Sequence, residues 1–350
     1  MDTSFSEFIY LISQSMPLLI TLLLTFALIF INGWADARNA MDVCISTRAL
    51  RPKPAVAMAV TFNFLGMMIF TLLNTSVAQT IFRLVDFNLQ PEDALWALCG
   101  AMVAVVLWSA ASPYLGIPTS ENHALIAGFI GASAALNNGF NGVNPAEGQK
   151  VILGLAVSTA GAYFMAYLIV KAIHLIFRNI DRRKSLPFFQ RGQVAGSAGM
   201  AFMHGAQNGQ KFMAVLLLGT IFSKGINGST SFVIPIWLLV TGSLVMAAGT
   251  LVGGIRFIKS IGIDKVKFES YQGFAADFAG TATLLAASLL GIPVSSTHTK
   301  MSAIMGVGAA RRFSSVRWRA AKEIIWTWLL TYPGCGFAGF LMVKLVQQLF

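Results

Sequence analysis

An eight-residue phrase occurs twice in this chain, GIPTSENH from Gly116 to His123 and GIPVSSTH from Gly291 to His298, each set in an otherwise apolar stretch. The copies lie 175 residues apart, half the length of a 350-residue chain. A second pair, GWADARNAM from Gly33 and GAQNGQKFM from Gly205, recurs at an offset of 172 residues and in the same order. The chain is therefore a duplication, and its architecture has to use one half twice.

Composition fixes the solvent in which that duplication folds. Hydrophobic residues make up 56% of the chain and charged residues only 11%, a balance foreign to a soluble domain. The apolar runs, at about 17–25 residues, are long enough to cross a hydrocarbon core of roughly 30 Å as helices. The alternating ~10-residue strands of a membrane barrel are absent. The sequence predicts an all-α integral membrane protein, with hydrophobic segments near 16 to 47, 55 to 80, 94 to 113, 118 to 137, 151 to 177, 197 to 221, 232 to 254, 273 to 291, 294 to 310 and 321 to 348. Cys44, Cys99 and Cys335 sit in apolar surroundings without ligand or disulfide spacing and read as packing residues. The opening MDTSFSEFIY has no basic region ahead of its apolar stretch, so the first helix is expected to be retained.

A net charge of +11 would suit a nucleic-acid partner, but membrane orientation accounts for it first. Arg48, Arg51 and Lys53 follow the first segment, Arg178, Arg182, Arg183, Lys184 and Arg191 the fifth, Arg256, Lys259, Lys265 and Lys267 the seventh, and Arg311, Arg312, Arg317, Arg319 and Lys322 the ninth. The opposite loops hold only Arg83, Lys150 and Lys224. Basic loops stay cytoplasmic, so both termini are expected outside, the partner is the lipid bilayer, and no nucleic acid is implied. The compact loops suit a multi-pass protein of a bacterial inner membrane, and a homo-oligomer is compatible with them.

Five segments per half, with an odd count, place the two halves in opposite orientations. The expected organisation is a first inverted repeat over 1–177, a cytoplasmic linker over 178–196 and a second inverted repeat over 197–350. Inverted repeats convert an outward-open into an inward-open state by exchanging the conformations of two related halves. Gly116, Pro118, Gly291 and Pro293 interrupt the apolar runs at matching positions, and such breaks persist in lipid only where the freed backbone is buried or lines a cavity. The segments at the Pro-x-Ser motifs are accordingly broken or re-entrant helices. Ser120 and Asn122 in one copy, and Ser295, Ser296 and Thr297 in the other, place hydroxyls and an amide at a helix start, where free N–H groups and the dipole attract anions.

Charged side chains within these runs cost free energy and commonly mark ion or substrate pathways. Asp36, Arg38, Glu121, His123, His204, Lys211, His298 and Lys300 are such residues, whereas Asp42 and Asp277 lie closer to segment ends. Two pairings, Asp36 with Arg38 and Glu121 with Lys211, would neutralise charge without binding anything. The histidines are relays or helix caps, with His204 the stronger relay candidate. Their spacing fits no zinc site and no Gly-x-Ser-x-Gly elbow accompanies them. An enzyme is not expected, and neither is a cofactor.

The motifs together resemble the inorganic phosphate transporter family, PiT, over nearly the whole chain. PVSSTHT, Pro293 to Thr299, is similar to the family's Pro-x-Ser-Thr-Thr-His motif, and HGAQNGQK, His204 to Lys211, to its His-Gly-x-Asn-Asp-x-Gln-Lys motif. The resemblance implies a secondary active symporter of inorganic phosphate, driven by H⁺ or Na⁺, with a site shared between the halves. It assigns phosphate to Asn39, Ser120, Gln210, Lys211, Ser295, Ser296 and Thr297, to which the helix-start reading adds Asn122. Asp36, Glu121, Asn208 and Thr297 fall to the coupling ion, with Arg38, His123, His204 and His298 as further candidates. The departures bear on the ion. Trp34 and Ala35 stand where the family has Ala and Asn, Gln207 and Asn208 where it has Asn and Asp, and Glu121 and Asn122 where it has hydroxyls. A hard Na⁺ ion wants several oxygens, and the set is depleted here. Glu121, desolvated and facing an anion, is suited instead to carry a proton. Arg38, where the family has a small residue, either adds anion-binding charge or neutralises Asp36. The alternatives to phosphate symport are a sulfate or other oxyanion permease of the same architecture, and a non-transporting phosphate sensor.

Overall fold

The structure is a computed structural model that describes residues 4–87, 91–114, 120–225, 233–260, 268–316 and 318–349. The described chain is helical: α1 (Phe5–Gln14), α2 (Met16–Ser46), α3 (Pro52–Leu65), a π-turn over Gly66–Phe70, α4 (Thr71–Leu73), α5 (Ser76–Leu84), α6 (Pro91–Tyr114), α7 (Glu121–Leu136), α8 (Pro145–Ile176), α9 (Arg182–Ser223), α10 (Ile236–Ser260), α11 (Ser270–Leu289), α12 (Ser296–Arg311) and α13 (Trp318–Leu349). Among the described residues, six stretches are long and apolar enough to cross a membrane, those of α2, α3 to α4, α6, α8, α10 and α13. Their outward faces carry Leu23, Phe164, Leu168, Leu175, Trp326, Leu329 and Phe337 in the open, as a lipid-facing surface requires.

The remaining long helices depart from that pattern for physical reasons. α9 runs 42 residues and carries the second motif in its middle. The polar stretch expected as a linker is itself helical from Arg182 onward, with Asp181 capping the first turn by accepting from the Arg183 N–H at 2.9 Å. Arg, Lys and Gln are good helix formers, and Phe189 and Gln193 are buried on its inner face. α7 and α12, which begin at the repeated Pro-x-Ser motifs, have 16 residues each. At 1.5 Å per residue that is about 24 Å, short of the ~30 Å core.

The two halves of the chain interlock. α2 packs on α10, α9 on α3 and α5, α7 on α13, and α8 on α12, so each of these pairs joins a helix before the turn at 178–180 to one after it. Small residues let the backbones meet: a Cβ on Gly205 of α9 would collide with the Asn63 carbonyl of α3. A large core cluster including Leu28, Met102, Leu125, Phe129, Met213 and Leu239 fills the centre. An alanine-rich cluster of Ala162, Ala166, Ala275 and Ala303 closes α8, α11 and α12 together.

The second break is built as its sequence asks. α11 ends in a Schellman turn: the Ile292 N–H bonds the Ala287 carbonyl at 2.8 Å, and the Gly291 N–H bonds that of Ser288 at 3.1 Å. Gly291 itself takes φ 68°, a conformation costing an L-residue about 1–2 kcal/mol. Gly291→Ala should lower the unfolding free energy of the detergent-purified protein by at least that amount, because the new Cβ would also press on the Ser76 carbonyl of α5. The first break, around Gly116 and Pro118, lies outside the described residues.

Candidate functional site

The freed backbone of the break at 291–295 is satisfied by side chains from three other elements. Thr80 on α5 donates to the Gly291 carbonyl at 2.7 Å. Gln207 on α9 donates to the Ile292 carbonyl at 3.3 Å and accepts from the Val294 N–H at 3.4 Å. The Val294 carbonyl accepts from Lys211 Nζ at 2.8 Å and from the Asn122 amide at 3.3 Å. Motifs two, three and four therefore meet at one carbonyl. Ser295 caps α12, accepting from the His298 N–H at 3.4 Å, and Ser296 Oγ is buried with no hydrogen-bond partner among the described residues.

Lys211 is the electrostatic centre of this meeting point. It is 1% exposed, and no carboxylate of the described residues lies within ion-pairing distance of it. The pairing with Glu121 allowed by the sequence is not formed, because the Glu121 carboxylate accepts from the Asn32 amide instead. A buried ammonium whose hydrogen-bond partner among the described residues is one carbonyl is costly, and its field, with the α12 N-terminus and the Ser296 hydroxyl that has no partner among those residues, favours an anion at this place.

A second set of polar groups adjoins it. Asp36 Oδ1 accepts from Thr297 Oγ1 at 2.9 Å and from the Asn39 amide at 3.0 Å, and Asn39 also donates to Thr297 at 2.8 Å. The other carboxylate oxygen lies 3.3 Å from His204 Nε2. His204 Nδ1 faces Asn63 Oδ1 at 2.9 Å, and Asn63 donates to Thr250 at 2.9 Å. From His204 a line of amides runs to Glu121: Asn208 Nδ2 is 3.0 Å from His204 Nε2 and donates to Asn32 Oδ1 at 2.7 Å, and Asn32 donates to Glu121. Asp36 is 23% exposed by side chain against 3% for His204, and Glu121, Asn39 and Thr297 are also partly exposed.

The structure thus brings together Asp36, Asn39, Glu121, Asn122, His204, Asn208, Lys211, Ser295, Ser296 and Thr297, although it divides them into an anion-favouring and a carboxylate-bearing group, while Ser120 is buried at the N-cap of α7 and makes no side-chain cap bond. Gln210 is engaged elsewhere. Its Oε1 accepts from the Val77 N–H at 2.9 Å and so supports the start of α5 after the break at Asn74. Arg38 is exposed, and among the described residues no ion pair joins it to Asp36. His123 is buried with no hydrogen-bond partner for either ring nitrogen among the described residues, stacked 5.6 Å from the Tyr332 ring and with the tilted His298 ring at 5.1 Å. His298 accepts from Trp328 Nε1 at 3.2 Å.

Sequence reasoning missed Asn32, Asn63 and Gln207 as members of the network, although a lone amide in an apolar run is a usable signal for the first two. Asp277, which the sequence placed near a segment end, is instead 0% exposed. It pairs with Lys300 and accepts from Ser197 Oγ at 2.5 Å.

The comparisons with known proteins agree in kind. A sequence profile of the phosphate transporter family matches residues 32–339. A probable low-affinity inorganic phosphate transporter of Rhizobium meliloti is 36% identical over 310 residues, covering 87% of this chain and 89% of its own. Its counterpart in Bacillus subtilis is 32% identical over 321 residues, covering 92% and 94%. A solved structure described as the sodium-dependent phosphate transporter shares the fold with a TM-score of 0.86 at 22% identity, over 96% of this chain and 100% of that one. With two of its duplicated motifs inside the long helices α2 and α9 and the other two at the starts of α7 and α12, all in a membrane-spanning bundle, the chain belongs to the phosphate transporter family.

Proposed function

We propose that the protein is a secondary active symporter of inorganic phosphate that works by alternating access, residues 1–177 and 197–350 acting as inverted repeats about the link at 178–196. The observation that carries the reading is Lys211: a buried ammonium with no carboxylate within ion-pairing distance among the described residues, at the place where three motifs and a helix N-terminus converge. Lys211, Asn122, Ser120, Ser295, Ser296 and Thr297 hold phosphate oxygens in this reading, with Asn39 beside them and Gln210 supporting the wall. The interlocked packing of the two halves supports a site that both halves reshape together.

Proton coupling is supported by the line of amides. In one direction of the line, an ionised Glu121 accepts from Asn32, Asn32 accepts from Asn208, and Asn208 donates to a bare His204 Nε2. Reversal of all three amides, Asn63 included, gives the other direction: a protonated Glu121 donates, and His204, its ring proton moved from Nδ1 to Nε2, serves Asn208 and Asp36 together. A proton on Glu121 is thereby linked to the His204 to Asp36 contact, which borders Thr297 of the opposite half. Sodium coupling is the second reading, favoured by the carboxylate, hydroxyl and amide oxygens gathered at Asp36, Thr297 and Asn39.

Reconstitution into liposomes with labelled phosphate tests both. Uptake is expected to follow an imposed inward proton gradient, to be indifferent to Na⁺, and to resist excess sulfate. Uptake that follows only the Na⁺ gradient transfers coupling to the Asp36 cluster, and competition by sulfate transfers the substrate to a broader class of oxyanion. Binding of phosphate without uptake under either gradient leaves a sensor.

A further inference from the structure

Arg38 lies inside the span α2, eight residues before its end at Ser46. It is exposed, and among the described residues it has no ion-pair or hydrogen-bond partner. The neutralising role allowed by the sequence is not the one realised, because the Asp36 carboxylate is occupied by Thr297, Asn39 and His204. Its charge nonetheless acts on Asp36 on one side and on Asp42 on the other.

The side chains around it show which medium it faces. Ala35, Arg38, Asp42 and Ser46, at helical spacings of three and four, form one face of α2 that is exposed or partly exposed. On the N-terminal half of the helix the open residues are Met16, Leu23 and Ala27, which suit lipid. From Ala35 onward the face carries an arginine and a carboxylate, and two charges on one open face within a span indicate water, not hydrocarbon. This polar strip ends beside Asp36, Asn39 and Thr297, the partly exposed members of the site.

We propose that the strip from Ser46 to Ala35 is a wall of the aqueous route to the site, and that Arg38 is the residue that captures the incoming tetrahedral oxyanion there. This rests on the phosphate-transport reading above. A guanidinium offers a planar fork of donors matched to two oxygens of one anion, and it stays charged at every physiological pH. Arg38 directly precedes Asn39, whose amide donates to Thr297 in the first turn of α12, so an anion held by the guanidinium lies beside the residues that contact that helix start and leaves in place the carboxylate that Thr297 and His204 hold. Arg38 on this account governs capture and apparent affinity, and Lys211 the occluded position.

A cysteine substitution tests the proposal, because Cys44, Cys99 and Cys335 are at most 4% exposed and give a quiet background. In proteoliposomes Arg38→Cys should raise the KM for phosphate about tenfold, the scale of one charge-assisted contact, with kcat changed by less than about twofold. A cationic trimethylammonio-ethyl thiosulfonate, presented to both faces, should label the cysteine and return the KM towards that of the parent chain. The anionic sulfonato-ethyl reagent should label it without that recovery, and inorganic phosphate should slow both labelling reactions. Arg38→Lys should fall between the parent and the cysteine variant. An unlabelled cysteine, a KM equal to that of the parent, or the same response to both reagents would overturn the proposal. If the parent chain moves no phosphate, the transport reading fails. The labelling and its protection by phosphate, read in detergent, then still decide whether Arg38 faces water and an anion.

Discussion

Glu121→Gln is expected to reduce proton-driven phosphate uptake to the level of protein-free liposomes while leaving exchange of internal for external phosphate in place. Glutamine keeps the size of the side chain and can still accept from Asn32 through its amide oxygen, so the anion-favouring group around Lys211 and Val294 has no reason to rearrange. What the substitution removes is the ability to gain and lose a proton. Net proton-coupled uptake requires the carrier to cross loaded in one direction and return in a defined protonation state, whereas exchange needs only the loaded form. A deficit in exchange as large as the deficit in net uptake would therefore place Glu121 in phosphate binding and not in coupling. Retention of full proton-driven uptake would remove Glu121 from the mechanism, and Na⁺-driven uptake that survives the substitution would move coupling to Asp36 and Thr297. The companion change His204→Gln should mimic the loss only in part, because it interrupts the amide line at its far end while the titrating carboxyl remains.

The features legible in the sequence were those set by local composition. Apolar run length placed the first span at 16 to 47, where α2 covers Met16–Ser46, and the sixth segment of the second motif at 197 to 221, inside α9. The duplicated Gly-Ile-Pro phrase located the break that ends α11 and starts α12, because a positive φ at Gly291 and a proline two residues later leave little choice. The features that were not legible depend on tertiary partners. The segment expected over 55 to 80 is broken at Asn74 and Thr75, with neither glycine nor proline at the break, and the new start of α5 is held by Gln210 from a distant helix. The charged stretch after Arg178 reads as a linker by polarity, yet becomes helix once Phe189 packs against Tyr271 and Phe274. Asn32 and Asn63 offer only single amides, and their role appears when α2, α3 and α9 bring them to Asn208 and His204. Side-chain identity named most of the residues that helix packing gathers at the candidate site, but which groups bond to which was decided by that packing.

The buried pair of Asp277 and Lys300 gives the second large effect. Removing one partner, as in Asp277→Asn or Lys300→Met, should destabilise the detergent-purified protein by about 3–5 kcal/mol, since the survivor is a charge left in an apolar interior. Asp277 is 0% and Lys300 2% exposed, so neither can reach water to soften that cost. The chain also contains its own control. The offset of 175 residues aligns Asp277 with Met102 and Lys300 with Leu125, and the offset of 172 aligns Ser197 with Thr25. Met102, Leu125 and Thr25 are all buried, the first two within the central core. The first half thus fills the positions matching Asp277 and Lys300 with apolar side chains and the position matching Ser197 with another hydroxyl. The double change Asp277→Met with Lys300→Leu should accordingly recover most of the loss, to within about 1–2 kcal/mol of the parent, because an ion pair and its apolar isostere are often close in free energy. Chemical unfolding of the four proteins in one detergent closes a double-mutant cycle whose coupling energy isolates the pair. If each single change costs little, water reaches the pair and its burial is not what the packing of α9, α11 and α12 implies. If the double variant is as unstable as the singles, the second half cannot accept the packing of the first. If it folds as expected, its transport rate shows whether the charges serve only the packing of α11 against α12 or also the movement of the helix that carries Ser296 and Thr297.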